Sequence, residues 1–166
     1  NSTFLALVDP CLIPTDEPTD DDDLETAAID FTWFRTHLVN EILPKWLAAR
    51  TSQGLFLPHF NRQWQPLNRN FGTLVSQGRL LYNFAQGYAV TGEQRYRDAV
   101  AEGASYLLDH FRDAQYGGWY WSVNLDGTVR DKRKDSYGHA FVIFGLAHAF
   151  QCTGNTAFRD AMVQTW

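Results

Sequence analysis

Few side chains in this sequence stand where their type and spacing suggest chemistry. Arg79 lies among Leu74, Leu80 and Leu81, an apolar surround that is suggestive for a guanidinium, although a lone helical arginine is usually solvated or ion-paired. Trp119, Tyr120 and Trp121 alternate on an extended stretch, so that one face packs inward and the other can line a cleft mouth; most of these rings read as structural. His37, His59, His110 and His148 have no carboxylate or metal-ligand spacing and read as surface or core residues. Cys11 and Cys152 are far apart and form neither a C-x-x-C pair nor a zinc pattern, which suits a reducing cytoplasm. The Asp20–Asp23 run lacks the spaced ligands and turn glycine of a calcium loop, so it reads as a solvated charge run.

Composition narrows the ligands. A net charge of -5 and a pI near 5.4 leave no clustered basic face of the kind that nucleic acid or an anionic membrane requires. The 166 residues are 45% hydrophobic and 15% aromatic, enough for a packed core, and aromatic-rich pockets suit flat amphipathic ligands such as sugars. No apolar run approaches the about 18 residues of a membrane span. Phe4 to Val8 is too short, and lacks the basic flank, for a signal peptide; because the chain begins at Asn1, an upstream targeting segment stays open.

The elements that must carry these residues are helices. Residues 1–26, with Pro10, Pro14 and Pro18 ahead of the acidic run, read as a linker or arm, and residues 27–166 as one helical region. Phe34, Leu38, Ile42, Leu43, Trp46 and Leu47 keep helical spacing, with a kink expected at Pro44. Gly54–Asn61 and Trp64–Pro66 suggest a small hairpin or extended loop, and further helices are expected over about Thr73–Ala89, around Tyr96–Phe111 and over about Ser136–Gln151. A strand–turn–strand is expected over Gly117–Gly127, turning at Asp126-Gly127, and a last helix starts near Asn155. Thr91-Gly92 and Thr153-Gly154 close their helices, since glycine takes the left-handed cap conformation.

These closures stand 62 positions apart (153 minus 91), and Arg97-Asp98-Ala99 meets Arg159-Asp160-Ala161 in the same register. Leu81 with Ile143, Ala85 with Ala147, Tyr88 with Phe150, and Tyr96 with Phe158 extend the match. Gly54-Leu-Phe-Leu against Gly118-Trp-Tyr-Trp gives an approximate third copy. The unit is a helix, a hairpin loop and a second helix, and its length favours a toroid of large helical hairpins whose loops form a binding rim.

Ile42-Leu-Pro-Lys-Trp46, Gly78-Arg-Leu-Leu-Tyr82, Tyr88 through Gly92, Gly117-Gly-Trp-Tyr-Trp-Ser-Val123, Asp126-Gly127 and Lys134-Asp-Ser-Tyr-Gly-His-Ala-Phe-Val142 together resemble the N-acylglucosamine 2-epimerase superfamily, over roughly Phe31–Trp166. The resemblance implies an all-α, (α/α)6 barrel with short β-hairpins in its loops, a monosaccharide or disaccharide substrate in the central cleft, and no metal or organic cofactor. Nucleic acid and membrane partners are not expected; a homo-oligomer is open. Six units would need well over about 300 residues, so this chain is expected to supply the N-terminal part of a barrel.

In that family histidines move a proton beside the sugar carbonyl through an enediolate. They lie on later inner helices, so no catalytic residue is assigned in this chain. By resemblance Arg79 faces the cleft and contacts the oxygen near the reacting carbons, and Tyr137 contacts substrate, unless it only packs on the neighbouring hairpin. His139 and Trp119 complete the candidate contacts, although a hydrogen-bonded structural role suits His139 better. Two alternatives stay open: a non-catalytic carbohydrate-binding or interaction half-barrel, and an (α/α)6 glycoside hydrolase, for which no carboxylate pair presents itself.

Overall fold

The computed structural model describes residues 31–166; the arm read over residues 1–26, with Cys11 and the acidic run, lies outside the described residues. Helix α1 (Phe31–His37) runs through a π-helical turn, Leu38–Ile42, into α2 (Leu43–Ala48). Pro44 stands at the start of α2 and has no N–H to give the preceding turn, so the expected kink takes the form of a wider turn just ahead of it. After a loop braced by the bridges Arg50–Phe56 and Phe60–Pro66, the chain forms β1 (Phe71–Thr73), α3 (Leu74–Thr91) and α4 (Gln94–Tyr106), which continues as a second π-helical segment, Leu107–Phe111. β2 (Ser122–Asn124), β3 (Val129–Asp131), α5 (Ser136–Thr153) and α6 (Thr156–Thr165) follow.

The repeat is present at the level of atoms. α3 and α5 begin 62 residues apart (136 minus 74) and end 62 apart (153 minus 91). Thr73 caps α3 by accepting from the Ser76 N–H, and Asp135, its counterpart, caps α5 by accepting from the Gly138 N–H. Gly92 and Gly154 close the two helices at φ 70° and 77°. Arg35 donates to the Val90 carbonyl at the end of α3, and Arg97 donates to the Cys152 and Thr153 carbonyls at the end of α5. Arg50 pairs with Glu102, and Arg112 with Gln164.

Apolar stripes bury α3 against α4 and α5 against α6, and the two helices that share one side, α3 and α5, pack directly on each other. Leu81, Phe84, Tyr96, Val100, Leu107, Phe111, Val142, Leu146 and Phe158 form the centre of this core. The α3–α5 approach depends on glycine: a Cβ on Gly78 would collide with the Phe141 carbonyl, and one on Gly145 would stand 2.8 Å from the Gly78 Cα.

The expected strand pair over Gly117–Gly127 is displaced along the chain. Its turn is where it was expected, with Gly127 at φ 82°, but the strands are β2 and β3 on either side of that turn. Gly117 and Gly118 both have positive φ and break the extended run, sending Trp119 into the core. β1 pairs antiparallel with β2, Phe71 opposite Asn124, which completes a three-stranded sheet order β1-β2-β3. Among the described residues no helix is long and apolar enough to cross a membrane.

Candidate active site

The α3–α5 packing decides which of the candidate residues meet. Arg79, in the second turn of α3, donates from Nη2 to the Tyr137 phenol oxygen at 3.1 Å across the crossing, and its guanidinium lies 4.7 Å from the centre of the Phe141 ring. Tyr137 occupies the first turn of α5 and is 56% exposed, so this contact is on an open face. Among the described residues no carboxylate contacts Arg79. Beside it is a cavity of about 380 Å³ whose walls include Trp46, His59, Ser76, Arg79 and Asn83.

His59, read from sequence as a surface or core residue, stands in the wall of this cavity. Its ring packs 4.6 Å from that of Phe71, and its Nε2 is buried with no hydrogen-bond partner among the described residues. Burial, and then the charge of Arg69, lower its pKa, so the imidazole is neutral at ordinary pH. The loop carrying it shows no helical or strand period, and only its place in the third copy of the repeat marks it as part of the rim.

His139 and Trp119 are not at this cavity. Residues two apart on a helix project about 200° from one another, so Tyr137 on the open face turns His139 to the opposite side. There Nδ1 lies 2.7 Å from the Asp135 carbonyl and Nε2 accepts the Trp119 backbone N–H at 3.2 Å, a pairing that assigns the proton to Nδ1. Gln77, one repeat earlier, does the same job: it accepts from the Phe56 N–H and donates to the Phe56 carbonyl, both at 2.9 Å. Position 77 and its counterpart 139 thus latch the preceding loop to the helix. Trp119 is 2% exposed, with Nε1 donating to the Thr165 hydroxyl at 2.9 Å.

The same loop contains the one strongly shifted acid among the described residues. Lys134 donates to Asp113 at 2.5 Å and to the Gly117 carbonyl at 2.6 Å. The Gln115 and Tyr116 backbone N–H groups donate to the other oxygen of Asp113. The Lys134 hydrogen bond first, then that of Tyr116, hold the Asp113 carboxyl down to about 2 against the opposing effect of burial. Among the described residues no group of three or more His, Cys, Asp or Glu is arranged to hold a metal ion.

Comparison with known proteins agrees with this architecture. Residues 54–166 match the family described as N-acylglucosamine 2-epimerase (GlcNAc 2-epimerase). A cellobiose 2-epimerase of Bacteroides fragilis is 31% identical over 120 residues, covering 71% of this chain and 31% of the relative. A D-mannose isomerase of Marinomonas mediterranea is 34% identical over 99 residues, 60% of this chain and 25% of the relative. The solved cellobiose 2-epimerase of Spirochaeta thermophila superposes with a TM-score of 0.75 at 26% identity, over 86% of this chain and 36% of that one. The chain therefore spans about a third of the length of these relatives, and its helical hairpins form part of an (α/α)6 barrel. By the match over residues 54–166 and the relatives it shares, this chain belongs to the N-acylglucosamine 2-epimerase family.

Proposed function

We propose that the Arg79–Tyr137 rim is part of the substrate site of a sugar 2-epimerase or aldose–ketose isomerase, with this chain supplying one portion of the barrel. The observation that carries the reading is a cation on an open face beside a cavity, held by a phenol and an aromatic ring instead of an acid. A guanidinium paired with a carboxylate is already neutralised. One held by neutral partners keeps its charge for an incoming oxygen. Relatives named as cellobiose 2-epimerases and D-mannose isomerases support a sugar as that ligand.

Removing the proton beside a sugar carbonyl places negative charge on the carbonyl oxygen and creates an enediolate. Arg79 is suited to stabilise that oxygen, a contribution of about 3 kcal/mol for one well-placed donor. Tyr137 accepts from Arg79, which leaves its own O–H free to donate to a sugar hydroxyl. Returning the proton to the opposite face of carbon 2 gives the epimer, and returning it to carbon 1 gives the ketose. No described residue is assigned as the base; His59, neutral in the cavity wall, is a hydrogen-bonding wall group in this scheme.

The test is incubation of the complete barrel that includes this chain with mannose in heavy water. Deuterium should enter at carbon 2, and Arg79→Ala should slow its entry. An absence of exchange would leave a binding role only, and an unchanged rate in the variant would remove Arg79 from the site.

A further inference from the structure

Charge is distributed unevenly along this acidic chain. No Asp or Glu occurs between Glu41 and Glu93, whereas Lys45, Arg50, Arg62, Arg69 and Arg79 all fall there. Lys45 and Arg50 are spent on Glu41 and Glu102. Among the described residues Arg69 has no carboxylate partner, and neither has Arg130, which arrives from β3 to lie 4.3 Å from the centre of the Phe71 ring. Asp126, which lines a neighbouring cavity with Arg130, accepts from the Thr128 N–H and hydroxyl, and Asp131, next in the chain, accepts from the Arg133 N–H.

Arg69 and Arg130 line one cavity of about 360 Å³ together with Asn68, Asn70 and Phe71. Two unpaired guanidinium groups and two amides around one space are the donor set of an oxyanion site. A ring contact connects the wall of this space with that of the Arg79 cavity. Phe71 in its wall packs on His59, which is in the wall of the other, and the Arg69 charge is felt at His59. Phe71 thus touches both the Arg130 guanidinium, 4.3 Å from its ring centre, and the His59 imidazole, whose ring is tilted 53° to its own at 4.6 Å.

We infer that Arg69 and Arg130, with Asn68 and Asn70, bind an oxyanion group, phosphate or carboxylate, carried by the sugar whose reacting end lies at Arg79. The ligand is then an acidic sugar, an inference that rests on the proposed sugar site for its second half only. The anion site itself stands on the unpaired arginines.

Isothermal titration of the 166-residue chain tests it with inorganic phosphate, glucose 6-phosphate, glucuronate and glucose. Glucose 6-phosphate or glucuronate should bind about tenfold or more tighter than glucose, and the tighter of the two identifies the group preferred. Inorganic phosphate should bind as well, with an affinity that falls as salt is added. Arg69→Gln and Arg130→Gln should each remove most of that advantage, with Arg130→Lys intermediate because it keeps charge and loses the fork; circular dichroism on these exposed positions confirms an unchanged fold. Acidic probes that bind no tighter than glucose, or an advantage that survives both glutamine variants, would overturn the site. Phosphate binding that Arg130→Gln abolishes, with no sugar responding to Arg79→Ala, would keep the anion site and reject the sugar reading at Arg79.

Discussion

The two copies of the repeat agree in their scaffold and differ where chemistry is proposed. Caps fall at Thr73 and Asp135, left-handed glycines at 92 and 154, and arginines on the carbonyls that end α3 and α5. Gln77 and His139 latch their loops with different side chains, each accepting a loop backbone N–H, and Gln77 adds a second bond to the Phe56 carbonyl. On the open face the register pairs Arg79 with Phe141 and Val75 with Tyr137, so the cation belongs to one copy and the phenol to the other. Residues that repeat hold the fold; residues that break the repeat are the ones to question for function.

The comparison can be broken most severely at the α3–α5 contact. Gly78 touches the Phe141 carbonyl, whereas its counterpart Ala140 is exposed. Gly78→Val should cost about 3 kcal/mol in urea unfolding, and Ala140→Val should stay within about 0.5 kcal/mol. Equal costs would mean the close approach of the helices does not matter to stability.

The latch offers a sharper version. His139→Ala leaves the Trp119 N–H without its partner and should cost about 2 kcal/mol, with Gln77→Ala costing at least as much because two Phe56 groups lose theirs. His139→Gln should recover most of the loss, as a glutamine already does this work one repeat earlier. Failure of glutamine to rescue would separate the two positions.

A smaller effect should appear in acid. Thr51 braces the first loop with a neutral hydroxyl that accepts the Leu55 N–H, and its counterpart Asp113 braces the second as an ion. Because the folded carboxyl is depressed from 3.8 to about 2, its stabilisation is complete above the ordinary carboxylate range and disappears as the pH falls toward about 2. Lys134→Met raises that folded value, so acid unfolding monitored by circular dichroism should begin at higher pH. An unmoved acid transition would show that the pair does not brace the loop.

Much of this scaffold was legible in the sequence, because helical period, cap residues and the 62-residue register are local signals that the core then reinforces. The strand pair was misplaced since Gly117 and Gly118 read as strand edge when their positive φ makes them a turn. Which of the candidate residues share a face was less legible. Tyr137 and His139 are close in sequence and opposed on the helix, and Arg79 meets Tyr137 only through a helix crossing that two glycines set. His59 was passed over because its loop is ordered by bridges and turns, which leave no period to read.

The most direct test of the division between scaffold and chemistry compares two variants in one assay. In the complete barrel, deuterium entry at carbon 2 of mannose should fall about 100-fold in Arg79→Ala and change little in His139→Gln. The opposite ranking, with His139→Gln inactive and Arg79→Ala unimpaired, would contradict the assignment of the site to the open face of α3 and α5.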